Sequence, residues 1–346
     1  MASHRFSRAI RFGMGTKDKT MIQLTQFKTL ADLLDCFHDE QACRDYLERM
    51  RWQGQPKCPY GECGHDKVFK FKDGKKYKCA KCRKIFSVRV GTIFEESKIT
   101  LRKWFIAIYL ITSHKKGISS VQLGKDVGVG QKCAWFMLHR IRHSFKLNKG
   151  TEKLSGTIEA DETFIGGAEG NKHKNKRTEN TQGRSVAKKS AVAGVISRGG
   201  EIRANVVPDT SGYHLRSYVV NNVAFGSSLM TDEWLGYKGL AQLFHHHIVK
   251  HNEGEYVKDG CHTNSLEGFW SLLKRGVDGI YHSISKKHLQ QYLDEYAFRY
   301  NTRNFSESGR FDMLLNKLAN HLTYKQLTKG GRNNNPLETQ QTSLSI

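Results

Sequence analysis

The sequence predicts an α/β protein: a mixed sheet flanked by helices, preceded by a small cysteine-rich module and a helical segment. Three observations predict it. Two cysteine pairs bracket a lysine-rich hairpin pattern between Trp52 and Phe86. Apolar residues recur at helical spacing from 99 to 147. From Thr157 onward, short β-branched runs alternate with helical stretches, and two of those runs end in aspartate.

The 346 residues suffice for two or three folded units, and 38% hydrophobic content supports real cores. A formal net charge of +23 points to a polyanionic partner, because lysines and arginines that neutralise phosphates release condensed counterions. No run approaches the roughly 18 apolar residues of a membrane span. The start, MASHRFSRAI, is basic but has no apolar core of a secretory signal. Of eight cysteines four are clustered, a pattern that reads as metal binding in a reducing compartment rather than as disulfides, with Cys36, Cys43, Cys133 and Cys261 as core or incidental thiols. The expectation is a cytoplasmic, nucleoid-associated protein with no membrane partner.

In chain order, residues 1–50 read as a basic leader and short helices, with Leu30, Leu33, Leu34 and Phe37, then Cys43, Tyr46 and Leu47, at helical spacing. Residues 51–92 are the cysteine module. Residues 93–150 return to helix, beginning with LRKWFIAIYLITS, apolar on most sides and so expected to be buried. ISSVQLGKDVGV and the basic, amphipathic GQKCAWFMLHRIRHSF, joined at Gly128 to Gly130, have the outline of a helix-turn-helix. An ordinary helical hairpin fits the same pattern.

Residues 151–305 form the predicted α/β unit. Thr157–Asp161 leads into Thr163–Ile165, and two strands, Ala191–Ile196 and Glu201–Val207, flank the turn Arg198-Gly199-Gly200. A helix is expected at His214–Asn222, a strand at Ser228–Asp232, a helix at Trp234–Phe244 and a strand at His247–Lys250. Helices at Asn264–Arg275 and Lys286–Tyr300 follow. Ala168–Lys189 is nearly devoid of apolar residues and reads as a long basic loop, suited to tracking a DNA backbone or simply to solubility. Residues 306–346 read as a C-terminal helix and a polar tail.

Cys58 and Cys63 are separated by four residues, Cys79 and Cys82 by two, and VFKFKDGKKYK between the pairs is a hairpin turning at Asp73-Gly74. Two knuckles joined this way bring four thiolates to the corners of a tetrahedron, the geometry of structural Zn²⁺. Iron–sulfur ligation is the alternative, and His65 is a spare ligand. A core this small depends on the metal for much of its folding free energy. Such ribbons bind DNA, RNA or protein; the lysines and aromatic residues interleaved here favour nucleic acid.

Asp161 ends one apolar strand, Asp232 ends another, and Glu267 lies in the helix after a third. One acidic residue at a strand end is ordinarily a polar edge. Here the element order is that of an RNase H-like domain, in which the first and fourth strands are neighbours. Three clustered carboxylates repel one another unless cations neutralise them, and hard oxygen ligands suit Mg²⁺ or Mn²⁺. Two such ions can activate a water or a 3′-hydroxyl and stabilise the leaving oxygen. In CHTNSLEGFWSLLKRG, Glu267 and Lys274 lie within about 20° of one another on the helix. Asn264 is one turn earlier near the same face, while Leu266, Phe269, Trp270 and Leu273 cover the packing side.

The ribbon, TIEADETFIGG, LMTDEWLGY and HTNSLEGFWSLLKRGVDGIYHSISKKHLQQYLDEYAFRYNTR together resemble the zinc-ribbon-bearing DDE transposases of bacterial insertion sequences, over roughly residues 30 to 305. The resemblance implies that Asp161, Asp232 and Glu267 form the acidic triad, with Lys274 as its basic companion and Asn264 an open alternative as third ligand. It implies Mg²⁺ or Mn²⁺ at that centre, double-stranded DNA as partner at transposon ends and target, and a homo-oligomer, since two ends are handled together. The implied chemistry nicks the element to expose 3′-hydroxyls and joins them to target DNA. Two rival readings remain: an RNase H-like nuclease that cuts without joining, and a zinc-ribbon and helix-turn-helix transcription factor.

Overall fold

The structure is a computed structural model and describes residues 27–146, 150–166, 189–249, 262–318 and 322–328. The basic leader, the expected basic loop except Lys189, and the polar tail from 329 lie outside the described residues.

Two short helices open the described chain: α1 (Leu30–Cys36) and α2 (Glu40–Trp52). Thr29 starts α1 with a reciprocal capping box to Asp32, and Asp39 caps α2 by accepting from the Ala42 N–H at 2.7 Å. Next come β1 (Val68–Lys70), β2 (Tyr77–Cys79) and β3 (Ile85–Phe86), an antiparallel three-stranded sheet. The β1–β2 turn is tied by Asp73, whose Oδ1 accepts from the Lys75 N–H at 2.9 Å, and Gly74 takes the left-handed conformation (φ +65). The expected turn at Asp73-Gly74 is where the chain reverses.

Three helices follow: α3 (Leu101–Ser113), α4 (Ser120–Val127) and α5 (Gln131–Phe145). As expected, α3 is buried on nearly every side. Gly128 ends α4 in the left-handed conformation, φ 67. A Cβ on Gly124 would lie 2.9 Å from the Val129 carbonyl oxygen, so the α4–α5 turn closes against bare backbone. The basic face anticipated for α5 is spent internally. Arg140 donates to the carbonyls of Ile93, Glu95 and Leu322, and Arg142 pairs with Glu295 at 2.5 Å. Gln131 and Lys132, in the first turn, are the exposed part of this helix.

The α/β unit contains β4 (Thr157–Ile165), β5 (Ser190–Ser197), β6 (Ile202–Val207), α6 (Gly212–Asn222), β7 (Ser228–Thr231), β8 (His245–Ile248), α7 (Asn264–Gly276) and α8 (Leu289–Asn301). The sheet order is β6-β5-β4-β7-β8. β4, β5 and β6 are antiparallel neighbours, whereas β4 with β7 and β7 with β8 run parallel. This is an RNase H-like sheet, and it makes the first and fourth strands neighbours. Alternation along the strands divides two cores. Ile158, Ala160, Ala193, Val195 and Leu229 pack toward α6, and Ile165, Val192, Ile196 and Ala204 toward α7 and α8.

Two local expectations are corrected. Trp234–Phe244 is not an α-helix: it forms single 3₁₀ turns at Leu235–Tyr237 and Leu240–Gln242. Gly239, at φ +96, interrupts helical backbone between them. The strand expected at His247–Lys250 begins two residues earlier, at His245. Beyond α8, α9 (Glu307–Asn316) returns to the N-terminal helices, where Phe311, Leu314 and Leu315 share one core with Phe27, Phe37, Tyr46 and Phe105. A short α10 (Tyr324–Thr328) lies against α5 through Tyr324 and Phe136, ring centroids 5.6 Å apart. Among the described residues no helix is long and apolar enough to cross a membrane.

Candidate active site and metal centre

Cys58, Cys63, Cys79 and Cys82 offer Sγ atoms that all lie within 4.8 Å of one another. Cys58 and Cys82 sulfurs are 3.7 Å apart, Cys63 and Cys79 sulfurs 3.6 Å. A tetrahedron with metal–sulfur bonds of about 2.3 Å has edges of about 3.8 Å, so the four cysteines fit a structural zinc ion. Burial raises the Cys79 thiol, but the N–H groups of Cys82 and Lys81 and the thiols of Cys63 and Cys82 together lower it to about 6. His65 is not part of the cluster; its ring lies 3.7 Å from Asp66. Below the cysteines, Tyr77 and Phe86 stack at 5.7 Å and Trp52 packs edge-on at 5.1 Å from Tyr77.

The second site sits beside the middle of β4 and just past the C-terminal end of β7: the strand expected to end at Asp161 continues to Ile165, because its ladder with β5 runs on to Ser190, while Asp232 directly follows Thr231. The parallel register of β4 and β7 pairs Glu159 with Met230, so two residues further on Asp161 and Asp232 stand side by side. Both line a cleft of about 410 Å³, together with Glu162, Thr163, Phe164, Lys189 and Lys274. Asp161 faces α7 and accepts a hydrogen bond from Trp270 Nε1 at 3.1 Å. Burial, then the charges of Glu162 and Asp232, push Asp161 up to about 7. A carboxyl raised by burial with like charges beside it marks a place where cations would be welcome. Glu162 points to the opposite face, where Tyr237 Oη donates to it at 2.8 Å. Its place beside Asp161 is written in the sequence only as the adjacent acidic pair Asp161-Glu162.

The helix α7 spans the cleft's flank with Leu266, Phe269, Trp270 and Leu273 buried, as its pattern predicts. Its other face exposes Asn264, Glu267 and Lys274. Lys274 reaches the cleft lining, whereas Glu267 and Asn264 do not. Glu267 Oε1 instead accepts the Thr263 hydroxyl at 3.0 Å, at the start of its own helix. The structure therefore brings together Asp161, Asp232 and Lys274, and holds Glu267 and Asn264 about two and three turns from Lys274 on the exposed side of the same helix. Among the described residues, the four cysteines are the one group whose atoms already stand at metal-binding distance.

Residues 153–301 match the family model of the ISXO2-like transposase domain, and residues 38–85 match that of the transposase zinc-ribbon domain. The chain belongs to the zinc-ribbon-bearing DDE transposases of insertion sequences. The transposase is also 26% identical over 275 residues to an uncharacterized protein in transposable element ISH50 of Halobacterium salinarum, covering 76% of this chain and 91% of that one. Among solved structures it is similar to a pre-cleavage Mos1 transpososome, with a TM-score of 0.26, 12% identity, and 60% and 76% of the two chains covered. It is similar too to the Mos1 strand transfer complex, with a TM-score of 0.21, 11% identity, and 59% and 78% covered. Both likenesses are too weak to add to the strand order described above.

Proposed function

We propose that this transposase binds the double-stranded ends of its insertion sequence, nicks them to expose 3′-hydroxyls, and joins these to target DNA. The observation that carries the proposal is the placement of Asp161 and Asp232 on neighbouring parallel strands of an RNase H-like sheet, in one cleft with Lys274. The two aspartates, with Glu267 as third ligand and Asn264 as the neutral alternative, would hold Mg²⁺ or Mn²⁺. When bound, such ions lower the pKa of a water or 3′-hydroxyl and stabilise the leaving oxygen.

The protein's own residues do the rest. Asp161 and Asp232 would hold the cations without which this carboxylate edge of the cleft would repel a DNA phosphate. In the first step a water oxygen bonds to phosphorus, the P–O3′ bond breaks, and the 3′-oxygen leaves as the new hydroxyl. In the second, that hydroxyl bonds to a target phosphorus and the target's 3′-oxygen leaves. Lys274, at the cleft wall, suits a phosphate contact beside the scissile bond. The excess of basic residues supplies the nonspecific attraction to duplex DNA. Two ends handled together imply a homo-oligomer on DNA.

The test is a strand-transfer assay on DNA carrying the element's terminal sequence, with Mg²⁺ or Mn²⁺. The proposal expects joined product that disappears in Asp161→Ala. Cleavage without joining would replace it with a cutting-only nuclease. DNA binding with neither cutting nor joining, unchanged in Asp161→Ala, would leave a DNA-binding regulator as the reading.

A further inference from the structure

We propose that Glu159 is a positioning residue for the reaction: it pegs helix α7 to strand β4 and so sets where Glu267, Asn264 and Lys274 stand relative to the aspartates. The inference rests on the metal-site reading above.

Glu159 lies two residues before Asp161 on β4, facing the same side, and is fully buried. Its carboxylate is occupied on both oxygens. Oε2 accepts from the N–H groups of Ser265 at 3.0 Å and Leu266 at 3.1 Å. Oε1 accepts from Ser265 Oγ at 2.9 Å and Arg198 Nε at 3.0 Å, with His262 Nδ1 at 3.3 Å. Arg198 Nη2 in turn donates to the His262 carbonyl at 2.8 Å.

A helix start needs acceptors for its first N–H groups and favours negative charge there. Ordinarily the residue just before the helix serves. In α7 that residue, Thr263, makes no side-chain cap bond. Its hydroxyl goes to Glu267 instead. The cap comes from the sheet, 106 residues earlier in the chain. A local cap would stabilise the helix equally well, but it would not tie the helix to the strand that carries Asp161.

A second peg makes the tie directional. Trp270 Nε1 donates to Asp161, two residues along β4 from Glu159. Two strand residues advance about 6.7 Å, and the five residues from Ser265 to Trp270 advance about 7.5 Å along a helix. The two spacings agree, so the pegs fix both the slide and the rotation of α7 along β4. A slip of one residue would turn Glu267 by about 100°. Groups that orient metal ligands in this indirect way typically change metal affinity 10- to 100-fold when removed.

The test is direct Mn²⁺ binding to the full-length, zinc-loaded protein, read by the loss of the free Mn²⁺ EPR signal without DNA. Melting temperature and zinc content monitor the fold. Wild type should bind Mn²⁺, and Asp161→Ala and Asp232→Ala should lose it. Glu159→Gln, of the same size and without the charge, should remain folded and bind Mn²⁺ at least about tenfold more weakly. In the strand-transfer assay its activity should return at high Mn²⁺. A folded Glu159→Gln with wild-type affinity overturns the inference and leaves the metal site standing. Absence of binding in wild type, or retention in the aspartate variants, overturns both. Should Glu159→Gln fail to fold, Ser265→Ala and Arg198→Lys loosen the same junction without stranding a buried carboxylate. Weakened Mn²⁺ binding in these variants upholds the inference, and unchanged binding in both overturns it.

Discussion

Gly194 stands directly opposite Asp161 in the β4–β5 ladder, and a Cβ there would lie 2.6 Å from Cζ2 of Trp270. The missing side chain is what lets the indole lie flat enough over the sheet to reach the Asp161 carboxylate. Gly194→Ala should therefore displace α7 and destabilise the protein by about 1–3 kcal/mol, the ordinary cost of overpacking. Adding Trp270→Phe to it should recover stability but not activity, because the smaller ring makes room while the Nε1 donor is gone. Thermal melting and strand transfer on the two variants separate these effects.

The raised Asp161 gives stability a pH dependence whose sign is fixed. Its carboxyl ionises near 3.8 in an unfolded chain and near 7 in the folded one. Between those values the unfolded state loses its proton first, so folded stability falls as pH rises from about 4 to 7 and is then flat in this term. Asp161→Asn should remove that slope and stabilise the protein without divalent metal at pH 8 by on the order of 4 kcal/mol at most. Equal responses to pH in variant and wild type would mean that Asp161 titrates normally. For the same reason, Mn²⁺ affinity should weaken as pH drops below 7, protons competing for the same oxygens.

Removing zinc should unfold the ribbon. Cys58, Tyr77, Cys79 and Phe86 are the buried members of its core cluster, too few to hold three short strands without metal. A chelator, or Cys79→Ser, should abolish zinc binding and red-shift the Trp52 fluorescence as its contacts with Tyr77 and Phe86 are lost. A ribbon that keeps its Trp52 signal without zinc would contradict this account.

Glu267 and Asn264 make opposite predictions as third ligand. Glu267→Gln should lower strand transfer by roughly 100-fold or more, as expected for loss of a charged metal ligand. Asn264→Ala should weaken it by less. Reversed phenotypes would assign the third position to Asn264. The bond from Thr263 to Glu267 sharpens the comparison. Thr263→Val removes that hydrogen bond and should leave strand transfer within about threefold of wild type.

A buried ionic cluster joins the helical region to the α/β unit. Glu295, fully buried on α8, pairs with Arg142 of α5 and Arg299 of its own helix, and accepts from Tyr281 Oη at 2.7 Å. The Arg142 guanidinium also lies 3.9 Å from the centre of the Tyr292 ring. Glu295→Gln strands two buried guanidinium groups and should cost about 3–5 kcal/mol, readable as a lower denaturation midpoint.

Much of this was legible in the sequence, for physical reasons that differ by residue. The cysteine spacing dictates a tetrahedron, and the Arg198-Gly199-Gly200 turn dictates a hairpin. The adjacency of Asp161 and Asp232 was legible from the order of elements, although Asp161 lies in the middle of β4 rather than at its end. Glu159 was not. In the alternation Ile158-Glu159-Ala160-Asp161 a charge reads as a solvent-facing position, and its burial is decided by Ser265 and Leu266, which no local pattern reveals. The basic character of the helix containing Arg140 and Arg142 gives no hint of their burial either: their acceptors are Ile93, Glu95, Leu322 and Glu295. The turns at 235–242 carry apolar residues at helical spacing, and Gly239 overrides them.

The return of α9 to the first helices has a consequence during synthesis. Phe311 packs edge-on against Phe27 and Phe105, each at 5.3 Å, and Tyr46 hydrogen-bonds to Asp312. About 200 residues separate Phe105 from Phe311 in the chain. At about 5–20 residues per second, the ribosome takes roughly 10–40 s to deliver the missing wall. Throughout that interval the N-terminal helices carry an open aromatic face. A copy of the gene interrupted before Phe311 thus encodes an aggregation-prone fragment rather than a folded N-terminal half.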